Sequence, residues 1–165
     1  MNVVLIGMPG SGKSKLGKAI SRELGREYID TDKTIEEKYG SISEIFEKSG
    51  EEFFRKIETE AVKEAALKDG AVISTGGGVI LKPENMDALK QSGVIIYLKA
   101  GEETVFRRTV KSDRPLIKGD REKVKNLLAA REPLYEKYAD YVIDADGDDI
   151  DGKTNQVIEY LSTRG

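Results

Sequence analysis

Residues 7–14 constrain this chain more than any other segment. Their sequence, G-M-P-G-S-G-K-S, satisfies the phosphate-binding pattern G-x-x-x-x-G-K-[ST] at every position. An apolar run over 3–6 precedes them and an amphipathic stretch over about 13–24 follows, so the pattern joins a predicted strand to a predicted helix. Such a loop surrounds phosphate oxygens with backbone N–H groups, and the start of the helix adds partial positive charge. The segment predicts that the chain binds a nucleoside triphosphate.

The side chains of this loop have separate predicted tasks. Lys13 is placed to reach the β- and γ-phosphates, and the Ser14 hydroxyl is placed to bind Mg²⁺, the expected cofactor. The alternative is a glycine-rich turn without a ligand, but such a turn needs neither a lysine nor a serine at these positions. The predicted ATP-binding residues of the loop are Gly10, Ser11, Gly12, Lys13, Ser14 and Lys15.

Several chemistries are excluded because the chain, of 165 residues, contains no histidine, cysteine or tryptophan. Disulfides, thiolate nucleophiles and Ser-His-Asp relays are impossible, so proton transfer falls to carboxylates, lysine or tyrosine. A net charge of −3 argues against a general binder of nucleic acids or anionic membranes. No apolar run approaches the length of a membrane span and no secretory leader is visible, so we expect a cytoplasmic protein. We also expect a monomer.

Short apolar runs alternate with amphipathic stretches along the chain. The runs are β-branched and almost continuously apolar, which is typical of strands covered on both faces. They predict strands at 3–6, 28–29, 71–73, 94–98 and 141–143. The stretches between them predict helices at about 13–24, 33–39, 42–48, 51–68, 84–91, 102–110, 121–138 and 152–162. The alternation predicts one α/β domain with a parallel sheet.

The phosphate-binding loop alone does not separate a kinase from a GTPase, a motor or an ATP-binding regulator. A GTPase needs an N-K-x-D motif for guanine, and the chain contains none. Its D-x-x-G matches at 144–147 and 149–152 fall in an acidic, glycine-rich loop, where chance matches are expected. The GTPase interpretation is therefore poor.

Two later segments place polar or flexible groups at the carboxyl ends of predicted strands, where open parallel sheets bind ligands. Asp30 and Asp32 end the second strand, so one could serve Mg²⁺ through water while the other takes a proton from an attacking hydroxyl. The alternative is a helix N-cap, for which Asp32 is well placed. Residues 74–79, S-T-G-G-G-V, follow the strand over 71–73, and their glycines permit close approach of backbone to a ligand. The alternative there is a flexible turn.

Two arginines occupy positions where a helix pattern expects hydrophobic residues. Arg131 lies on the apolar stripe of the helix over 121–138, and Arg55 lies near the core side of the helix over 51–68. Each alone is more often part of an internal ion pair, and Glu58 is an obvious i+3 partner for Arg55. Together, in a chain committed to phosphate chemistry, they suggest bidentate binding of a carboxylate.

Residues 111–119, K-S-D-R-P-L-I-K-G, are polar, basic and bracketed by predicted helices. This pattern suits a mobile lid whose Arg114 closes onto the transferring phosphoryl group, stabilises its charge and excludes water. A solvated loop with incidental charges is an equal alternative.

Six motifs follow one another along the chain: G-M-P-G-S-G-K-S at 7–14, D-T-D at 30–32, F-F-R-x-x-E at 53–58, T-G-G-G-V at 75–79, R-P-L at 114–116 and R-E-P-L-Y at 131–135. In order and spacing the set resembles shikimate kinase, in the nucleoside-monophosphate-kinase-like P-loop family, over essentially the whole chain. The resemblance implies phosphorylation of shikimate by ATP, giving ADP and 3-phosphoshikimate in aromatic amino-acid biosynthesis. It also implies a three-layer α/β/α P-loop kinase fold with a five-stranded parallel sheet in the order 2-3-1-4-5. A substrate-binding subdomain near 31–60 and a lid near 110–122 are implied as well.

The resemblance assigns roles to single residues. Asp32 is the implied base and binds the shikimate hydroxyls, Asp30 organises Mg²⁺ through water, and Arg114 is the lid arginine that assists Lys13. Arg108 is similar to the family's adenine-stacking arginine. Two arginines are implied to bind the substrate carboxylate, the glycines to contact substrate through backbone and two phenylalanines to wall the pocket. The implied substrate-binding residues are Asp32, Arg55, Gly76, Gly77, Gly78, Arg131, Phe46 and Phe54.

The chain departs from the family pattern in two places. Lys15 stands where serine or threonine is usual, which matters little at a position that mainly offers its backbone N–H. Region 144–165 has no clear counterpart of a family arginine that contacts adenine, so nucleotide selectivity there is open.

Three rival functions remain: a gluconate kinase, a nucleoside monophosphate kinase and a non-catalytic ATP-binding regulator. A polyol acceptor would not need two arginines aimed at a carboxylate, and a nucleotide acceptor would need a base pocket that the sequence does not reveal. We therefore expect two small-molecule partners, shikimate and ATP, and neither nucleic acid nor membrane.

Overall fold

The structure is a computed structural model that describes residues 1–110 and 120–164. The strands of this part of the chain are β1 (Asn2–Ile6), β2 (Tyr28–Asp30), β3 (Val72–Ser74), β4 (Gly93–Lys99) and β5 (Tyr141–Asp144). Its α-helices are α1 (Lys13–Leu24), α2 (Thr31–Tyr39), α3 (Ile42–Ala66), α4 (Pro83–Ser92), α5 (Glu102–Thr109), α6 (Arg121–Tyr138) and α7 (Ile150–Thr163), and a short 3₁₀ helix spans Val79–Leu81. None of the described helices is long and apolar enough to cross a membrane.

The strands form one parallel sheet in the order β2-β3-β1-β4-β5. In its centre, Val4 of β1 pairs with Ile73 of β3 and Ile95 of β4. Successive side chains of a strand point to opposite faces, and every residue of β1 is buried, so both faces of the sheet are covered. α1 packs with α7, and α3 packs with α4. The three-layer α/β/α fold and its strand order are confirmed.

The parallel arrangement brings three predicted segments to one edge of the sheet. The phosphate-binding loop follows β1, Asp30 ends β2, and the glycine run follows β3. Because these strands are parallel neighbours, their carboxyl ends lie side by side. The sheet itself therefore assembles the candidate site.

A second, smaller hydrophobic cluster lies in α2 and α3, apart from the main core. It consists of Ile35, Ile45, Phe54, Ile57 and Ala61, with Ile42 and Phe46 packed against them. The helices predicted over 42–48 and 51–68 both form, and within α3 they meet at a kink at Gly50, where φ is 84° and ψ is 171°. Glycine adopts this positive φ without the strain that a Cβ would add. The bent helix and α2 thus form a small unit beside the sheet.

Candidate active site

The phosphate-binding loop places an uncapped helix N-terminus and a buried ammonium group at the sheet edge. α1 begins at Lys13, and its N-cap, Gly12, has a left-handed conformation with φ 95°. No side chain in the described part of the chain caps this helix, which leaves its first N–H groups to a ligand. The Lys13 ammonium donates to the carbonyls of Gly7 at 2.7 Å and Met8 at 2.9 Å, which holds it across the loop. The geometry is that of an anion site.

Asp30 links the hydroxyl of Ser14 to the start of α2. Its Oδ2 accepts a hydrogen bond from Ser14 Oγ at 3.1 Å, and its Oδ1 accepts from the N–H groups of Asp32 at 3.0 Å and Lys33 at 3.3 Å. The N-cap of α2 is therefore Asp30, and the alternative that Asp32 caps this helix is wrong, because the helix already begins at Thr31. A hydroxyl and a carboxylate are oxygen ligands of the kind that Mg²⁺ prefers, so the pair fits the metal.

The glycine run 76–78 forms a surface against which charged side chains lie. A Cβ on Gly76 would be 2.8 Å from Asp32 Oδ1 and 2.9 Å from Glu58 Oε2, so the two carboxylates converge above this residue. Both are buried: Asp32 is 8% exposed and Glu58 is 1% exposed. Burial raises the pKa of the Glu58 carboxyl, and the charge of Arg55 opposes that rise. The alternative of a mere flexible turn is poor, because these glycines make room for functional groups.

Arg55 and Arg131 lie against the next two glycines. A Cβ on Gly78 would overlap the Arg55 guanidinium, with Cζ 2.6 Å away. A Cβ on Gly77 would be 3.3 Å from Arg131 Nη1 and 2.6 Å from Cδ of Pro9 in the phosphate-binding loop. Both arginines are buried, as their helix positions predict. The structure therefore brings the two guanidinium groups together beside the phosphate site.

The two arginines differ in their partners. Arg55 Nη1 donates to Glu58 Oε1 at 3.0 Å, the predicted i+3 pair, and its Nη2 lies 3.3 Å from Glu51 Oε2. Arg131 is only 4% exposed, and it forms no ion pair with any carboxylate of residues 1–110 or 120–164, although its charge, like that of Arg55, opposes the rise that burial causes in the pKa of Glu58. A buried guanidinium without a carboxylate partner is costly unless a ligand supplies the anion. Of the side chains at this site, Arg131 gives the strongest indication that the ligand carries an anionic group.

Two phenylalanines pack against each other next to Arg55. The rings of Phe46 and Phe54 lie 4.9 Å apart between centroids, and Arg55 Cζ lies 5.2 Å from the Phe54 centroid. Both belong to the smaller cluster of α2 and α3. Of the two predicted wall residues, Phe54 therefore contacts Arg55 directly, and Phe46 packs against Phe54.

Tyr135 supports the glycine run, a role that the sequence pattern does not reveal because it marks this residue only as part of an apolar stripe. Its hydroxyl donates to the Gly77 carbonyl at 2.6 Å, and its ring stacks on Tyr97 with centroids 5.0 Å apart. Burial raises the pKa of Tyr135 to about 12, so the hydroxyl keeps its proton at neutral pH. The available signal was its position four residues after Arg131, on the same helix face.

We expect Tyr135→Phe to lower the free energy of unfolding by about 1 kcal/mol, because the buried Gly77 carbonyl loses its donor. Tyr97→Phe is the matched control: Tyr97 lies in the same stack, but its buried hydroxyl has no hydrogen-bond partner among the described residues. Denaturant unfolding of both variants measures the difference. Equal losses in the two variants would contradict a specific bond to Gly77.

Arg108 connects the phosphate-binding loop to the loop that precedes α7. Its Nη1 donates to the carbonyls of Gly10 at 3.3 Å and Ser11 at 3.2 Å, and its Nη2 donates to the carbonyl of Gly147 at 2.8 Å. A cavity of about 310 Å³ opens beside these contacts and is also lined by Asp148. Sequence reasoning missed this loop because its contribution comes largely from backbone.

Residues 111–119 of the predicted lid, with Arg114, lie outside the described part of the chain. The other predicted site residues fall into two groups on one sheet edge. Ser11, Gly12 and Lys15 of the loop line the cavity near Arg108. Asp32, Arg55 and Arg131 adjoin the glycine run.

The family model described as "SKI: Shikimate kinase" matches residues 9–162. The chain belongs to the shikimate kinase family. It is similar to a shikimate kinase of Caldanaerobacter subterraneus subsp. tengcongensis, with 44% identity and coverage of 99% of this chain and 98% of that relative. A shikimate kinase of Thermodesulfovibrio yellowstonii is 47% identical, with coverage of 88% and 86%. Membership of this family makes the chain a kinase that phosphorylates shikimate with ATP.

Solved structures agree with this membership. A shikimate kinase from Acinetobacter baumannii, solved in complex with shikimate, superposes with a TM-score of 0.94 at 35% identity and covers 99% of this chain and 93% of its own. A deoxyadenosine kinase from M. mycoides has a TM-score of 0.68 at 17% identity, a likeness that shows the fold alone. The predicted family and fold are confirmed.

Proposed function

We propose that the shikimate kinase reaction takes place in the cleft between the phosphate-binding loop and the glycine run. The γ-phosphoryl group of ATP passes to the 3-hydroxyl of shikimate, giving ADP and 3-phosphoshikimate. The observation that carries the proposal is the buried Arg131, which lacks a carboxylate partner in the described chain and lies beside a second buried arginine. Shikimate is a carboxylic acid, and its carboxylate supplies the missing anion.

The acceptor is held by three kinds of contact. Arg55 and Arg131 bind its carboxylate, and the backbone of Gly76, Gly77 and Gly78 lies under its ring. Asp32, buried above the first of these glycines, binds the ring hydroxyls. Phe46 and Phe54 wall the pocket, and the contact of Phe54 with the Arg55 guanidinium helps to orient that group.

Phosphoryl transfer through a loose transition state asks mainly for positioning and charge. Asp32 accepts the proton of the attacking hydroxyl, which fits a chain without histidine. Lys13 exchanges its hydrogen bonds to the loop carbonyls for hydrogen bonds to the β- and γ-phosphate oxygens. The remaining phosphate oxygens accept hydrogen bonds from backbone N–H groups at the start of α1 and in the loop, at Gly10, Ser11, Gly12 and Lys15. Arg114 acts as the lid arginine that stabilises the transferred group.

The proposed cofactor is Mg²⁺, held by the Ser14 hydroxyl and, through water, by Asp30. In the described residues no three acidic side chains cluster as a metal site, so nucleotide phosphates and water would complete the ligand set. When bound, the ion neutralises charge on the β- and γ-phosphates. The Ser14–Asp30 hydrogen bond orients both oxygens toward this task.

The chain divides into functional parts within one proposed domain, residues 1–165. The cluster of α2 and α3 is the core of a substrate-binding subdomain near 31–60, since it holds the phenylalanine wall and Arg55. The lid spans about 110–122. The cavity beside Arg108 takes the adenine base, because it opens from the residues that hold the phosphates.

An ADP-release assay with Mg·ATP tests the proposed acceptor against shikimate, gluconate, AMP and CMP. We expect turnover with shikimate alone, because gluconate lacks the rigid ring that places a hydroxyl at Asp32, and AMP and CMP have no carboxylate to pair with Arg131. A preparation of Asp32→Asn, purified identically, controls for contaminating kinases. Turnover with another acceptor and none with shikimate would contradict the proposal.

A further inference from the structure

Lys153 is a buried lysine that the proposed reaction does not use. It lies one turn into α7 and is 7% exposed. Its ammonium donates to the carbonyls of Ala145 at 2.9 Å and Gly147 at 2.7 Å. Burial, and next the charge of Arg108, lower its pKa. The helix dipole disfavours a cation near a helix N-terminus, and lysine is rarely buried. The hydrogen bonds to the two carbonyls offset these costs.

The carbonyl of Gly147 connects this lysine to the nucleotide site. It accepts hydrogen bonds from Lys153 and from Nη2 of Arg108, at 2.7 Å and 2.8 Å. The other end of the Arg108 guanidinium holds the carbonyls of Gly10 and Ser11. A continuous chain of contacts therefore runs from α7 through one carbonyl to the phosphate-binding loop.

The residues just before this carbonyl are tied to the sheet edge: the Ala145 N–H donates to the Lys99 carbonyl at 2.9 Å, and Asp146 Oδ1 accepts from the Gly101 N–H at 3.0 Å. Gly147 itself has a φ of 80°, and a Cβ built there would meet no atom within 4 Å, so the hydrogen bonds that its carbonyl accepts from Lys153 and Arg108 are what hold this residue. The loop is also acidic, since Asp146, Asp148 and Asp149 flank the glycine. The ammonium of Lys153 offsets that charge next to a cavity that would receive a polyphosphate ligand.

We propose that Lys153 is a positioning residue for the adenine nucleotide: it holds the loop over 145–147 against Arg108 and so fixes the wall of the base cavity. The proposal rests on the proposed function only in taking that cavity as the base site. It addresses how region 144–165 contributes to nucleotide binding, since this region has no clear counterpart of the family arginine that contacts adenine. Lys153 also lines this cavity, and its two hydrogen bonds to backbone carbonyls fix the position of the neighbouring wall.

The test is equilibrium binding of ATP and of inorganic tripolyphosphate to Lys153→Met, without any acceptor. Methionine keeps the length of the side chain and removes the ammonium. We expect the Kd of ATP to rise about tenfold, while the Kd of tripolyphosphate, which touches only the phosphate loop, stays within about twofold. In turnover, the KM of ATP rises alone and the KM of shikimate is unchanged. Lys18→Met, an exposed lysine on α1, is the matched control and should leave all four values unchanged.

Two results would overturn the proposal. One is an unchanged Kd for ATP. The other is an equal rise in the Kd of ATP and of tripolyphosphate, because an equal rise would place the effect in the phosphate-binding loop or in the stability of the whole protein. If Lys153→Met does not fold, Lys153→Gln is used instead. Its side-chain amide can still donate to one carbonyl, so we expect a smaller rise in the Kd of ATP. Binding is measured without acceptor, so a failure of shikimate in the acceptor assay leaves this test intact.

Discussion

Asp32→Asn is expected to lower kcat about 10²- to 10⁴-fold, the range that a positioned general base contributes. Asparagine keeps the size of the side chain above Gly76 but cannot take the proton of the attacking hydroxyl. Its amide can donate to the neighbouring Glu58 carboxylate, so we expect the protein to fold with little change in melting temperature. Single-turnover phosphoryl transfer at saturating ATP and shikimate measures the effect directly.

Asp87→Asn is the control for this variant, because Asp87 is exposed on α4, outside the proposed cleft. It should retain kcat within about twofold, as surface substitutions usually do. If Asp32→Asn retained a comparable kcat, the carboxylate would have to act in binding alone. The KM of shikimate would then carry the whole effect.

Arg131→Met is expected to raise the KM of shikimate about 100-fold, equivalent to about 2.8 kcal/mol, with the KM of ATP within twofold. The same change should raise the melting temperature of the ligand-free protein. It removes a buried charge that forms no ion pair with a carboxylate of the described chain and replaces it with an apolar side chain that fills the space of the aliphatic part of arginine. Loss of affinity together with a gain of stability distinguishes a binding arginine from a structural one.

Lys125→Met, on the exposed side of the same helix, should change neither quantity. A lower melting temperature for Arg131→Met, with equal effects on shikimate and ATP, would show instead that Arg131 holds the fold together. Steady-state kinetics with each substrate varied, and calorimetric melting, give the two readouts.

Local sequence signals were sufficient for much of the fold. The strand over 3–6, the loop over 7–14 and the helix after it follow from apolar runs, glycine spacing and helix period, and the structure confirms each of them. The strand order was implied only by the resemblance, because pairing among parallel strands depends on contacts distant in sequence.

Side-chain partners were harder to predict than elements. From the sequence, Asp32 is the residue well placed to cap the helix, but the helix begins at Thr31, so Asp30 is the cap and Asp32 lies beside the glycine run. The sequence treats Arg55 and Arg131 alike, whereas the structure pairs the first with Glu58 and leaves the second without a carboxylate partner among the described residues.

Contacts made by backbone groups cannot be predicted from residue types. The Gly147 carbonyl, shared by Arg108 and Lys153, depends on how the loop before α7 turns. No side-chain motif marks such a contact. The predictions for Arg114 and for a monomer stay predictions.

The central claim is that Arg131 pairs with the carboxylate of the acceptor, and a cycle with the methyl ester of shikimate tests it most directly. Esterification removes the negative charge and leaves the ring hydroxyls unchanged. In the wild type we expect the ester to lower kcat/KM by at least about 100-fold, and in Arg131→Met the ester penalty should shrink to about tenfold, the part owed to Arg55. An ester penalty of the same size in both proteins would contradict the pairing.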